Sequence, residues 1–272
     1  MAMKVWKIIL PLLFLCAIIL FFYNHESWTK RSSRATVEKE HKQEVQEPVK
    51  DELPLLNEQE IKTIMGNFMK IEEMVFQTFR SGNWTVEHKP QQVATELVES
   101  LPKSIYDIAS EKFVKEKLFP VIEHWHHTLG ESGLLPNVYF DARMEVVENT
   151  PSKITVKTFT LENDAGYTSS MNVYVTASKV NDKWLIDQYE LVSVDDEPLH
   201  LMKEELIKYE ENDLNSRVDF IAEDSLTCGG RKELSKAYVI KVEKYGMVYA
   251  RLAKTGDICF EIPEKYNEQF PQ

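Results

Sequence analysis

Apolar positions along this chain fall into three successive patterns: an unbroken block, a long stretch at helical spacing, and then strict alternation. The block is Ile8 to Tyr23, IILPLLFLCAIILFFY, which carries no charge. With Val5 and Trp6 it extends to about 19 residues, enough to span a bilayer with little tilt. Lys7, its one charged interruption, can snorkel to the interface, and Trp6 and Tyr23 stand where aromatic rings favour headgroups. Pro11, near the start of the block, is tolerated in a membrane helix. A cleaved signal peptide needs small residues after the apolar run, and Tyr23-Asn24-His25-Glu26-Ser27-Trp28 offers no such site. A lipoprotein needs small residues directly before its cysteine, and Leu13-Phe14-Leu15-Cys16 supplies bulky ones. The reading is therefore an uncleaved transmembrane signal anchor over residues 1–26. Lys4 and Lys7 before the block nearly balance Lys30, Arg31 and Arg34 after it. The short, acid-free leading tail favours a cytoplasmic N-terminus and an extracytoplasmic body on a single-pass cell-membrane protein.

Residues 27–54 are polar and charged, contain Pro48 and Pro54, and have almost no apolar periodicity. They read as a linker that cannot bury a core.

Helical spacing begins at Asn57, which with Glu60 has capping-box spacing. Ile61, Ile64, Met65, Phe68, Ile71, Val75, Phe76 and Phe79 follow on one face, and Ser81-Gly82 supplies the stop. Gln91 to Ser100 is a second helix, broken by Pro102. Ser110 caps a third segment from Glu111 through Leu118, and Pro120 either kinks it or starts the next turn, which runs to Leu129.

Period-two alternation then marks four strands: Val138 to Val147, Lys153 to Leu161, Ser170 to Val180 and Lys183 to Val194. Met171, Val173, Val175 and Ala177 alternate with Asn172, Tyr174, Thr176 and Ser178. In the second strand the apolar face changes between Val156 and Phe159, which suggests a bulge. Short turns such as Asn181-Asp182 imply an antiparallel meander. Helices first and strands afterwards is the α+β layout, an N-terminal helical layer on one face of a sheet, over residues 55–196. Residues 197–272 form a small C-terminal extension. It has a helix from Pro198 to Leu214, with Leu199, Met202, Leu206 and Tyr209 on one side, then strands near Val218–Ala222, Ala237–Tyr245, Met247–Ala253 and Asp257–Ile262.

The full chain of 272 residues has a net charge of -12. That balance argues against nucleic acid, where a basic face must neutralise phosphates, and against broad adhesion to an anionic membrane surface.

Candidate chemistry is sparse. His124 and His127 lie three apart on a helix, but they point away from the apolar face of Leu118, Ile122, Trp125 and Leu129, so a solvated face accounts for them better than a metal. Asp195-Asp196-Glu197 lacks a calcium-loop pattern and fits the start of a helix. Ser225 has no nucleophile-elbow setting, and Asn83-Trp84-Thr85 matches the short glycosylation pattern. No metal site, cofactor site or catalytic residue is expected. Cys228 and Cys259, the cysteines outside the anchor, are disulfide candidates in an oxidising compartment, the alternative being two buried thiols.

The run ITVKTFTLENDAGYTSSMNVYVTASKVNDKWLIDQYEL, with its ending Val180-Asn-Asp-Lys-Trp-Leu-Ile-Asp, resembles the curved sheet and last hairpin of exported NTF2-like (cystatin-like, cone-shaped) domains of Gram-positive bacteria. The resemblance covers roughly Asn57 to Val194. It implies a curved sheet backed by helices, in a family whose members bind or scaffold and of which some are enzymes. The acid/base pairs of the enzymatic relatives have no counterpart here, so no catalytic residue carries over. Tyr139, Tyr167, Tyr174, Trp184 and Tyr189 are the aromatics available to a pocket. The expectation is a non-catalytic, membrane-anchored interaction or scaffold protein with a protein or envelope partner. The alternatives are an envelope hydrolase or ligand-binding module using the cone pocket, or a component of a conjugation or secretion apparatus.

Overall fold

The helical stretch opens on the cap that its sequence announces. In the computed structural model, which describes residues 55–82, 84, 87–128, 133–162, 169–228 and 233–267, the Asn57 side chain accepts the Glu60 N–H, and the Glu60 carboxylate accepts the Asn57 N–H at 2.8 Å. Helix α1 (Glu58–Met65) passes through Gly66, in right-handed helical conformation, into α2 (Asn67–Ser81). α3 (Pro90–Ser100) follows, then a 3-10 turn (Lys103–Asp107). The Ser110 hydroxyl caps α4 (Glu111–Phe113) by accepting the Phe113 N–H at 3.0 Å.

Pro120 neither breaks nor sharply ends this helix. A proline cannot donate to the carbonyl four residues back, and its ring crowds that carbonyl. The chain absorbs the conflict by widening into a π turn (Val114–Leu118), after which α5 (Phe119–His127) continues with Pro120 in its first turn. The expected anchor over residues 1–26 and linker over residues 27–54 lie outside the described residues, as do Tyr167, Asn83 and Thr85. Among the described residues no helix is long and apolar enough to cross a membrane.

The body is α+β, with two antiparallel four-stranded sheets. The first is the meander β1 (Glu145–Asn149), β2 (Lys153–Thr160), β3 (Met171–Val180) and β4 (Lys183–Ser193). Asn181 and Asp182 take φ values of 48 and 63 in the β3–β4 turn, the left-handed pair that suits the twist of a tight hairpin. Strand β1 starts seven residues later than alternation alone implies, because residues 138–144 run in irregular and turn conformation instead of pairing. Ile154, Val156, Val173, Val175, Ala177 and Ile186 face the helices and share a core with Ile61, Met65, Phe68, Ile71, Phe113 and Leu118.

The bulge expected in β2 is absent: β2 pairs with β3 without interruption from Lys153↔Ser178 to Thr160↔Met171. Its apolar face changes because the C-terminal extension covers the other side of the sheet at that end. Phe159 and Leu161 belong to a second cluster with Leu199, Leu201, Leu206, Tyr209 and Ile240. Residues on both sides of position 196/197 thus share one core.

The helix expected from Pro198 starts later, as α6 (Lys203–Leu214). Leu199 and Leu201 are buried outside any helix or strand, with His200 between them at φ 48, and donate their N–H groups to the Lys254 and Ala253 carbonyls at 2.8 and 2.7 Å, which withholds that segment from the helix. The second sheet follows as β5 (Val218–Leu226), β6 (Ser235–Val242), β7 (Met247–Leu252) and the two-residue β8 (Ile258–Cys259), and the described chain ends in α7 (Glu264–Asn267). Cys228, just past edge strand β5, and Cys259, in edge strand β8, lie at disulfide distance with Cα atoms 5.3 Å apart. A bond there joins the two edges of the sheet and, by chain entropy, constrains the unfolded state by about 3–4 kcal/mol.

Three edge strands carry an extra residue against their neighbour: Val147 in β1, Asp187 in β4 and Ile221 in β5. Such bulges twist an edge away from further pairing. The β4 edge is also covered where Ser110 donates its N–H to Ile186 and Ile186 donates to Ile108.

Candidate functional site

The junction of the first sheet with the extension forms an open cleft of about 880 Å³, lined by residues 141–145, Lys157 and residues 198–208 in part. Glu205 organises it. Its carboxylate accepts the Met202 N–H at 2.8 Å, which satisfies a free donor at the start of α6. The same carboxylate accepts Arg143 Nε at 2.7 Å and Nη2 at 2.5 Å, the two-pronged geometry in which guanidinium and carboxylate match best. Arg143 Nη1 donates to the Leu199 carbonyl at 3.0 Å, and the guanidinium lies 4.7 Å from the Phe159 ring centre. Arg143 is therefore spent on holding the extension against β2.

On the outer face of the sheet Lys157 donates to Glu197 at 2.5 Å, and the Tyr174 hydroxyl reaches the same carboxylate at 2.8 Å. The Lys157 hydrogen bond, aided by its charge and by Tyr174, holds Glu197 below the usual carboxylate range against a smaller opposing effect of burial. Tyr174 is pushed up to about 12, chiefly by burial and then by its bond to Glu197 and the charges of Glu197, Glu145 and Glu190. Glu197 thus ends a turn packed on the sheet rather than starting a helix. At the other lip Lys208 pairs with Asp141 at 3.4 Å.

A second depression of about 450 Å³ lies against β5 and is lined by Met202, Lys203, Glu204, Phe220, Glu223, Lys236 and Tyr238. Lys203 Nζ sits 5.0 Å from the centre of the Phe220 ring, and Lys236 Nζ lies 5.0 Å from that of Tyr238. The Tyr238 hydroxyl donates to the Leu201 carbonyl at 3.1 Å. Met202 and Glu204 line both depressions, and Met202, 57% exposed, stands between them; the two depressions together are termed the trough.

The sequence-derived candidates are scattered relative to this trough. His124 and His127 are exposed on α5, whereas His126 between them is buried. Among the described residues no group of three or more His, Cys, Asp or Glu side chains is placed to hold a metal. Trp184 and Tyr189 pack against the main core, Tyr189 edge-on to Phe68 at 5.5 Å, while Tyr139 packs edge-on to Tyr209 at 5.1 Å. Cys228 and Cys259 come together away from the trough lining. Arg143, Glu205, Met202 and Phe220 carry no motif and become a site through tertiary packing. The available signal was Glu205, three residues after Met202, at capping-box spacing for a helix starting at Lys203.

Comparison of the chain with protein-family models, curated proteins and solved structures finds no match.

Proposed function

We propose that this protein is a non-catalytic interaction or scaffold protein, anchored in the cell membrane through residues 1–26, with an extracytoplasmic NTF2-like body. The trough, two depressions flanking the exposed Met202, carries the reading. It is open, and it combines an exposed thioether and an aromatic ring with charged lips, the mixed lining of recognition surfaces. The charges nearest its floor already have partners: Arg143 is held by Glu205, Lys157 by Glu197 and Lys208 by Asp141. Groups paired in this way shape and position a surface. The interior between helices and sheet is filled by side chains such as Phe68, Ile71, Phe113 and Val175, each 0% exposed, which gives a ligand module inside the cone no support.

The reading is tested by placing a photo-crosslinking residue at Met202 in the full chain in intact cells, with the exposed Tyr106 as a control position. A discrete adduct from position 202 that is missing from position 106 is the expected result. A chain that yields no adduct from either position and stays monomeric after solubilisation removes the interaction reading. Protease accessibility of the body in intact spheroplasts tests the orientation: a protected body places it on the cytoplasmic side.

A further inference from the structure

We propose that residues 259–266 are a redox-held latch: the Cys228–Cys259 bond keeps this segment on an apolar cluster, and reduction releases it while the rest of the body stays folded. The cluster consists of Leu226, Ala237, Val239, Ala250 and Leu252 of the second sheet, both cysteines, and Tyr266, with Ile262 packed against it. Part of its cover is thus the segment itself.

The non-covalent hold on that segment is thin. β8 is two residues long and pairs with β7 only through Ala250↔Cys259 and Arg251↔Ile258. Beyond it, among the described residues, the hydrogen bonds from residues 260–266 to the body go to one side chain. Lys265 Nζ and the Tyr266 hydroxyl donate to Asp224 at 2.9 and 2.7 Å. The chain just before the latch is held independently. Arg251 donates to the Gly256 carbonyl at 3.0 Å, and Ile258 donates its N–H to the Glu162 carboxylate. Release therefore stops at Ile258, which is the hinge.

The chemistry is thiol–disulfide exchange with a dithiol reductant. A reductant thiolate attacks one sulfur of the pair and displaces the other cysteine as thiolate, leaving a mixed disulfide. The second reductant thiol then displaces the first cysteine, and the reductant departs as its own disulfide. Two electrons pass to the protein, and both cysteines take up protons. With the cysteines 6% and 4% exposed, attack waits on local opening of the segment, so the latch guards its own bond.

The test is hydrogen–deuterium exchange on the full chain in detergent micelles, oxidised and after dithiothreitol. Amide exchange across residues 259–266 should rise roughly tenfold or more on reduction, while α2 and β3 stay unchanged. A Cys228→Ser/Cys259→Ser double variant should show the reduced pattern without reductant. Protection lost across both sheets would make the bond a global staple and overturn the latch. So would unchanged exchange in residues 259–266 once mass confirms both thiols, or full thiol labelling without any reductant.

Discussion

Arg251 donates Nε–H to Glu210 at 2.6 Å with 4% and 1% of the two side chains exposed, joining β7 to α6 inside the extension. The pair is well satisfied. The Tyr249 hydroxyl donates to the second Glu210 oxygen at 2.7 Å, and Arg251 Nη1 donates to the Glu162 carbonyl at 2.8 Å. Breaking it strands a buried charge, so Arg251→Met should destabilise by about 3–5 kcal/mol. Replacing both partners, with Glu210→Leu added, removes the orphaned carboxylate and should cost less than the sum of the single changes. Urea denaturation of the two single variants and the double variant measures the coupling, and strict additivity would show that the two charges act independently.

A buried polar atom without a partner makes the opposite prediction. Thr158, on the helix-facing side of β2 opposite Val173, is 0% exposed, and its Oγ1 makes no hydrogen bond. Burying an unpaired hydroxyl costs free energy that an isosteric methyl does not. Thr158→Val should stabilise the protein by about 1 kcal/mol, read as a raised denaturation midpoint at unchanged m-value.

These two sites show which parts of the molecule were legible in the sequence. Local chemistry was: the Asn57–Glu60 cap, the Ser110 cap, the Asn181-Asp182 turn and the alternation through β3 depend on residues a few positions apart. Features set by distant partners were not. The change of apolar face at Phe159 suggests a bulge only because its cover, Leu199 and Leu206, lies far along the chain. Helical spacing with Met202, Leu206 and Tyr209 predicts Leu199 in a helix, and its pairing with Lys254, far along the chain, keeps it out of one. The trough is the extreme case, since Arg143 and Glu205 meet only when the extension docks on β2.

Asp224 gives the latch a pH dependence. Its carboxyl is held down to about 2, by the Lys265 and Tyr266 hydrogen bonds foremost and then by the Ser225 N–H. Because the folded value lies below the ordinary one of 3.8, folding favours the ionised form. The stabilisation is present above pH 3.8 and is lost as pH falls from there towards 2. Asp224→Asn should therefore loosen the C-terminal segment at neutral pH, and the difference from the unsubstituted protein should shrink as pH approaches 2. Hydrogen exchange of residues 260–266 across that range measures it. A difference of constant size at every pH would remove the charge from the explanation.

Two glycines separate backbone strain from crowding. Gly246, in the β6–β7 turn, has φ +62 with open space where a side chain would go, whereas Gly256 has φ +76 and packs against the first sheet. A Cβ at Gly256 would meet Leu161 Cδ2 at 2.6 Å, Ser170 Oγ at 2.8 Å and Leu199 Cδ1 at 3.1 Å. Gly246→Ala should incur only the left-handed penalty, about 1–2 kcal/mol. Gly256→Ala incurs that and also pushes the turn off Leu161 and Leu199, where the extension docks on the first sheet, for about 3–5 kcal/mol in total. Thermal unfolding of the two variants side by side gives the difference. Equal losses would mean that the neighbours of Gly256 yield freely, and that the docking of the extension is softer than its packing implies.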